Sequence, residues 1–108
     1  PTEMLICGAN GVLFKLKEDY SIEIFLTNLN LDFYSVCYFN SQVYLASEQG
    51  MYLFDNVRLI KLNIDERIDH RLIFKIEARD DVLWAFTEKY IIRFDRITWF
   101  VILHPDNV

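Results

Sequence analysis

The chain has 108 residues, of which 53% are hydrophobic and 25% are charged, and its formal net charge at pH 7 is −5. This length fits a single domain, residues 1–108, and the hydrophobic content is far above that of disordered chains. The acidic charge argues against nucleic acids and anionic membranes as partners, because both require basic protein surface, and it permits a basic protein as the partner.

The predicted elements, taken in chain order, are eleven short β-strands separated by tight turns. β-Branched and aromatic residues dominate the strands, and clusters of Asn, Asp, Ser and Gly separate them. No segment shows the sustained spacing of an amphipathic helix, so the predicted class is all-β. The predicted strands are residues 4–8, 12–16 and 21–26, then 33–39, 43–47, 51–55 and 57–63, and finally 72–78, 82–86, 90–94 and 98–103.

These strands fall into repeats near 4–26, 33–63 and 72–103. The stretch "VYLASEQGMYLFD" at 43–55 is similar to "VLWAFTEKYIIRFD" at 82–95, and "LICGANGVLFK" at 5–15 is a third copy. A period near 40 residues with several strands in each unit is in the range of a β-propeller blade.

Aligning the second and third repeats predicts the surroundings of the two tryptophans. At a spacing of 39 residues, Leu45 corresponds to Trp84, and at a spacing of 40 residues Leu59 corresponds to Trp99. Because leucines at these positions are expected to be buried, we predict that both tryptophans are core residues.

The third repeat has a Leu83-Trp84 strand, a corner that begins at Thr87 and a strand that ends Arg93-Phe94-Asp95. This pattern resembles the blades of bacterial regulator-type β-propellers. The resemblance implies an antiparallel meander that forms an incomplete propeller of two to three blades, since closed propellers have at least about four. A β-sandwich or barrel is the alternative arrangement of the same strands.

An open arc of sheets would leave apolar faces uncovered at its ends. A soluble monomer rarely exposes an apolar face of several hundred Å². Either the sheets curl onto each other, or a second protein covers the face.

No pattern of an active site, metal site or cofactor site is present. His70 and His104 have no ligand residues at the spacing of zinc sites, and the chain has no Gly-rich phosphate loop or nucleophile elbow. We therefore predict a protein that is not an enzyme and needs no metal or cofactor. Cys7 and Cys37 lie in apolar strands, so we predict buried, reduced thiols and a cytoplasmic location.

One rim of the predicted meander collects acidic residues. Corners between strands and the connections between repeats fall on this rim, because antiparallel strands alternate in direction. Loops often carry binding residues, and opposite charge steers association. Arg67, Arg71 and Lys89 reduce the negative charge of this rim. The alternative is therefore that the rim is an ordinary solvated surface and not a binding surface. The predicted partner-binding residues are Glu48, Asp65, Glu66, Asp69 and Glu88.

In its size, acidic charge and lack of enzyme motifs, the chain resembles small toxin immunity proteins of the contact-dependent growth inhibition type. That resemblance implies a protein of bacterial competition that binds a basic toxin, most simply a nuclease domain. Acidic side chains would occupy the toxin's active site in place of its phosphate substrate. The alternative is a structural module that self-assembles, for instance as a homodimer, into a closed β-propeller.

Overall fold

The computed structural model describes residues 4–27, 29–55 and 57–104. These residues form eleven β-strands and one 3₁₀ turn, Ala9–Gly11, which confirms the predicted all-β class. Within these ranges no helix is long and apolar enough to cross a membrane. The strands are β1 Met4–Cys7, β2 Val12–Leu16, β3 Ile22–Leu26, β4 Phe33–Phe39, β5 Gln42–Ser47, β6 Gly50–Phe54, β7 Leu59–Lys61, β8 Lys75–Arg79, β9 Val82–Phe86, β10 Tyr90–Phe94 and β11 Trp99–Leu103.

The described strands form three separate antiparallel sheets, in which neighbours in the chain are neighbours in the sheet. The first sheet is β1-β2-β3, the second is β4-β5-β6-β7 and the third is β8-β9-β10-β11. The alternative of a two-sheet sandwich or a barrel is therefore wrong. The predicted boundaries differ most around β7 and β8, because the chain leaves the second sheet early to form the connection 62–74.

Two hairpins close through turns of two residues with positive φ. Asn40 and Ser41 join β4 to β5 with φ of 54° and 62°, and Asp80 and Asp81 join β8 to β9 with φ of 53° and 62°. These are the dihedral signs of a type I′ turn, which matches the twist of the flanking strands. Asn and Asp tolerate this conformation better than most residues do.

The sheets stack in chain order, and each has a forward face toward the next sheet and a backward face toward the previous one. The forward face of the first sheet packs on the backward face of the second through a cluster that includes Leu13 and Leu45. The forward face of the second packs on the backward face of the third through a cluster that includes Met51 and Leu83. Phe25 contacts Phe54 edge-to-face, with ring centroids 4.7 Å apart, across the first of these interfaces.

Strand β4 is central to the stack, since it contacts both β1 and β8. The Ser35 hydroxyl links the second sheet to the third, because it accepts from the Ile76 N–H and donates to the Ile76 carbonyl, each at 3.1 Å. The molecule measures 48 × 31 × 22 Å along its principal axes. The backward face of the first sheet and the forward face of the third thus lie at opposite ends, and the sheets do not curl onto each other.

The spacing between the second and third repeats is 40 residues throughout, which corrects the alignment of Trp84. The Ser47 hydroxyl donates to the Gly50 carbonyl, and the Thr87 hydroxyl donates to the Tyr90 carbonyl in the same way. Trp84 therefore corresponds to Tyr44, not Leu45. A shift of one residue moves a strand side chain to the opposite face of the sheet.

The prediction that Trp84 is a core residue was wrong for this reason. It lies on the uncovered forward face of the third sheet and is partly exposed, between the buried residues Leu83 and Ala85. Trp99 corresponds to Leu59 at the correct spacing of 40 residues. As predicted, it packs against the core between the second and third sheets.

Both thiols are free, but each is half-buried rather than fully buried. Burial raises the pKa of Cys7 and raises the pKa of Cys37 to about 11. The thiolate is the reactive form, so both side chains should react slowly at neutral pH.

Candidate functional site

The loops lie on two opposite rims, because consecutive strands run in alternating directions. The corner rim consists of residues 8–11, 29–32, 48–49, 62–74 and 87–89. The hairpin rim consists of residues 17–21, 40–41, 55, 57–58, 80–81 and 95–98. All five predicted partner-binding residues lie on the corner rim.

The connection 62–74 is the longest loop of the corner rim, and it is anchored to the sheets. Ile68 and Ile73 are fully buried between the second and third sheets. The Gly50 N–H donates to the Arg71 carbonyl at 2.8 Å, and the Ile73 N–H donates to the Ser47 carbonyl at 2.9 Å. Apolar burial and hydrogen bonds thus hold this loop against the corner between β5 and β6.

Gly50 allows this close approach. Its φ is +92°, and a Cβ at this position would come within 2.6 Å of the Asp69 carbonyl oxygen and 2.7 Å of the Lys61 Nζ. Residues with a side chain are disfavoured at such a φ, and here there is no space for one.

Asp69 is part of the loop's internal structure. The residue is only 9% exposed, and its carboxylate accepts a hydrogen bond from the Ile64 N–H at 3.0 Å. Its main-chain carbonyl accepts from the Lys61 ammonium at 2.5 Å. The sequence predicts Asp69 as a partner-binding residue, but the loop turns its side chain inward, where it serves as the acceptor for the N–H of Ile64.

Asp65 is paired within the same loop. Its carboxylate accepts from the Arg67 Nε at 2.8 Å, from a terminal guanidinium nitrogen at 2.7 Å and from the Arg67 main-chain N–H at 2.8 Å. These hydrogen bonds from the Arg67 side chain and main chain lower the pKa of Asp65 to about 2. Much of its negative charge is therefore already compensated by Arg67.

The other three predicted residues are more accessible. Glu48 is partly buried, and its Oε1 accepts from the Asp32 N–H at 3.1 Å, which joins the first connection to the second sheet. Glu66 and Glu88 are exposed. Glu88 also lines a cavity of about 590 Å³, together with Arg71, Phe74 and His104. The rim thus brings the five carboxylates onto one side of the molecule without gathering them in one cluster.

A cluster of cations around Tyr90 interrupts the acidic rim. Arg67, Arg71 and Lys89 place their charged groups 5.8, 5.6 and 5.9 Å from the centre of the Tyr90 ring. Aromatic faces attract cations at these distances. The sequence indicated that these residues dilute the acidic charge, but it did not indicate that one ring gathers all three.

The hairpin rim is as acidic as the corner rim. Asp55 and Asp95 use their carboxylates to accept main-chain N–H bonds in equivalent turns, and these bonds lower the pKa of both. Within residues 4–27, 29–55 and 57–104, no group of three or more His, Cys, Asp and Glu residues could hold a metal ion. The acidic residues of this rim are Glu18, Asp19, Asp55, Asp80, Asp81 and Asp95.

One curated protein that the chain is similar to is "Immune protein Tsi7" of Pseudomonas aeruginosa, with 27% identity over 93 residues. The aligned region is 86% of this chain and 30% of that protein, so the chain spans less than a third of its relative. The name is that of an immune protein and not of an enzyme, in agreement with the predicted non-enzymatic role.

No protein-family profile matches the chain, and no solved structure gives a significant match.

Proposed function

We propose that the chain belongs to an immunity protein that neutralises a bacterial toxin by binding it. The observation that carries this proposal is the similarity to the immune protein of Pseudomonas aeruginosa over 86% of the chain. The all-β architecture with two loop-bearing rims suits this role, because rigid sheets can hold binding loops in place.

We further propose that the toxin is basic and that a nuclease domain fits best. The net charge of −5 favours such a partner through electrostatic steering. Carboxylates could occupy a cleft that normally binds phosphate. Among the predicted residues, Glu66 and Glu88 are the best candidates because they are exposed, and Glu48 supports them from the neighbouring corner. Asp65 and Asp69 contribute less, since both already have partners within the loop.

The three sheets are, in this proposal, successive blades of an incomplete β-propeller. The contact of β4 with β8 supports it, because these are the first strands of two neighbouring four-stranded sheets, and the first strands of blades meet near a propeller's axis. A cytoplasmic location is also part of the proposal and is consistent with the two free thiols.

The test of the general role is binding and protection. The protein would be expressed together with a candidate toxin from the same genome, and the expected outcomes for the cognate toxin are an equimolar complex and survival of the host cells. Absence of both complex and protection would overturn the immunity role.

The test of the corner rim compares two variants that each remove two negative charges. Glu66→Gln with Glu88→Gln changes the corner rim, and Asp80→Asn with Asp81→Asn is the matched control on the hairpin rim. Asn tolerates the positive φ of the control positions. We expect the first variant to associate roughly 10-fold more slowly at low salt and the control to change far less. Equal effects of both variants would show that only net charge matters.

A further inference from the structure

The connection 62–74 is longer than the connection 27–32 between the first and second sheets, although the two are anchored alike. In both, a main-chain carbonyl accepts from the glycine N–H of the preceding corner, Leu31 in the first connection and Arg71 in the second. The extra length of the second connection therefore lies before Arg71, in the part that carries Arg67. Insertions in single repeats often build the binding face of a repeat protein.

Three cations meet at the ring of Tyr90, and we call them the Tyr90 cation cluster. Arg67 and Arg71 come from the connection 62–74, and Lys89 comes from the corner between β9 and β10. Their charged groups lie between 5.6 and 5.9 Å from the ring centre, and all three residues are exposed. An aromatic face attracts cations, but like charges brought close together repel one another, so the ring offsets only part of this repulsion.

The packing of neighbouring sheets does not require this cluster. At the repeat spacing of 40 residues, the positions that correspond to Arg71, Lys89 and Tyr90 carry neither a cation nor a ring. They are Leu31, Gln49 and Gly50. The first and second sheets nevertheless pack together through an apolar cluster. The cations are therefore an addition at one corner and not part of the architecture that the repeats share.

Hydrogen bonds within the connection hold the arginines of the cluster in place. The Arg71 Nε donates to the Arg67 carbonyl at 2.7 Å. The Arg67 guanidinium donates to both carboxylate oxygens of Asp65, at 2.8 and 2.7 Å. Asp65 thus compensates Arg67, whereas Arg71 and Lys89 add exposed positive charge beside this pair. Side chains that are fixed before association lose less freedom when a partner binds.

Exposed carboxylates stand next to these cations in the chain. Glu66 precedes Arg67, and Glu88 precedes Lys89. This part of the corner rim therefore presents charges of both signs. A partner surface complementary to it needs a carboxylate for the cations as well as cations for the two glutamates, and such complementary patterns fix the register of an interface.

We propose that the Tyr90 cation cluster binds a carboxylate of the toxin and so determines which toxin the chain recognises. The inference rests on the proposed function, and it adds that the basic toxin presents an Asp or Glu side chain to Arg71 and Lys89. Hydrogen bonds from a guanidinium and an ammonium to a carboxylate are short and strong because both partners are charged. A basic toxin without that carboxylate would place cations against cations, and this repulsion excludes it.

The first experiment compares two variants that each remove two positive charges. Arg71→Gln with Lys89→Gln changes the cluster, and Lys17→Gln with Arg58→Gln is the matched control on the hairpin rim. The probe is the toxin that forms a complex in the co-expression test, and its dissociation constant is measured by calorimetry at one salt concentration.

The two explanations predict opposite results for the cluster variant. If net charge alone governed binding, both variants would bind a basic toxin at least as tightly as the natural chain, because both are more acidic. We expect this of the control, whereas the cluster variant should bind at least about 10-fold more weakly. Cooperative urea unfolding of both variants shows that they are folded.

The second experiment detects the carboxylate in the complex of the natural chain. A carbodiimide activates a carboxylate, and a lysine amine that lies against it then forms an amide and releases a urea. We expect mass spectrometry to find Lys89 joined to an Asp or Glu of the toxin. Lys17, on the opposite rim, is the internal control and should not be joined to the toxin. Lys89→Arg keeps the charge, so it should keep most of the affinity and lose the link.

The outcomes separate this inference from the proposed function. If the natural chain forms the complex, a cluster variant that binds as tightly as the control, or a toxin that is linked only through other lysines, overturns the inference and leaves the immunity role intact. If the natural chain binds none of the candidate toxins, the immunity role and the inference fall together.

Discussion

At the scale of single residues, Asp69 shows how an acidic loop residue can be structural. Its carboxylate is almost buried, and it satisfies the N–H of Ile64 within the connection 62–74. Leaving a buried donor without an acceptor costs about 1–3 kcal/mol. This residue therefore contributes to the shape of the corner rim rather than to its exposed charge.

We predict that Asp69→Ala lowers the free energy of unfolding by about 1–3 kcal/mol. Asp69→Asn keeps an acceptor oxygen and should restore most of the loss. Glu66→Ala, in the same loop but exposed, is the control and should change stability by less than about 0.5 kcal/mol. Urea unfolding of the three variants measures the differences, and equal stability of the Asp69→Ala and Glu66→Ala variants would contradict the structural role.

Cys37 leads to a prediction about pH. Burial raises its pKa to about 11, whereas a thiol in an unfolded chain has a pKa near 8.5. At pH 8 the thiolate of the folded protein should be roughly 200-fold rarer than that of the unfolded chain. Alkylation of Cys37 should be slower by a similar factor and should accelerate about tenfold for each pH unit between 8 and 10.

The measurement uses a Cys7→Ser variant, so that only Cys37 reacts, with the same variant in guanidinium chloride as the reference. Equal alkylation rates for the folded and unfolded protein would show that the thiol is not protected.

At the scale of the elements, the turn between β4 and β5 contains one residue, Ser41, that is not the most stable choice for its conformation. Asn40 and Ser41 both have positive φ, and Asn-Gly is the preferred sequence for such a turn. Relief of the strained Ser41 conformation exceeds the entropy that Gly adds to the unfolded chain.

We therefore predict that Ser41→Gly raises the free energy of unfolding by about 0.5 kcal/mol. Gln49→Gly, at a corner residue without positive φ, is the control and should lower it. Thermal or urea unfolding distinguishes the two, and a loss of stability in both variants would argue against the turn assignment.

The strands themselves were largely predictable from sequence, because β-branched and aromatic runs between turn residues specify them locally. The face of the sheet on which Trp84 lies was not predictable in this way. A repeat alignment can slip by one residue with little change in its score, yet the slip reverses the side-chain direction. The spacing of 40 residues between Asp55 and Asp95 indicates the correct alignment of the two repeats. In the structure the carboxylates of both residues accept equivalent main-chain hydrogen bonds, which confirms that spacing.

The candidate site was predictable only as a rim. Alternating strand direction placed Glu48, Asp65, Glu66, Asp69 and Glu88 on one side of the molecule, as expected. The pairing of Asp65 with Arg67, the inward turn of Asp69 and the cations around Tyr90 depend on the path of the loop 62–74. That path is set by the burial of Ile68 and Ile73, which no local pattern specifies.

At the scale of the whole molecule, the three described sheets stack in chain order, and an apolar cluster joins each pair of neighbouring sheets. The hydrogen bonds between each connection and the preceding corner also bear on how the chain folds. The Phe33 N–H donates to the Gly8 carbonyl and the Ile73 N–H to the Ser47 carbonyl, each at 2.9 Å, so the first and second sheets are each held by the connection that follows them. Within the part of the chain that the structure describes, each strand pairs only with its neighbours in the chain. These hairpin pairings are local in sequence and favour fast folding, whereas the hydrogen bonds between connections and corners join residues that are far apart in the chain. During synthesis each sheet can form as it leaves the ribosome and then serve as the surface on which the next one assembles.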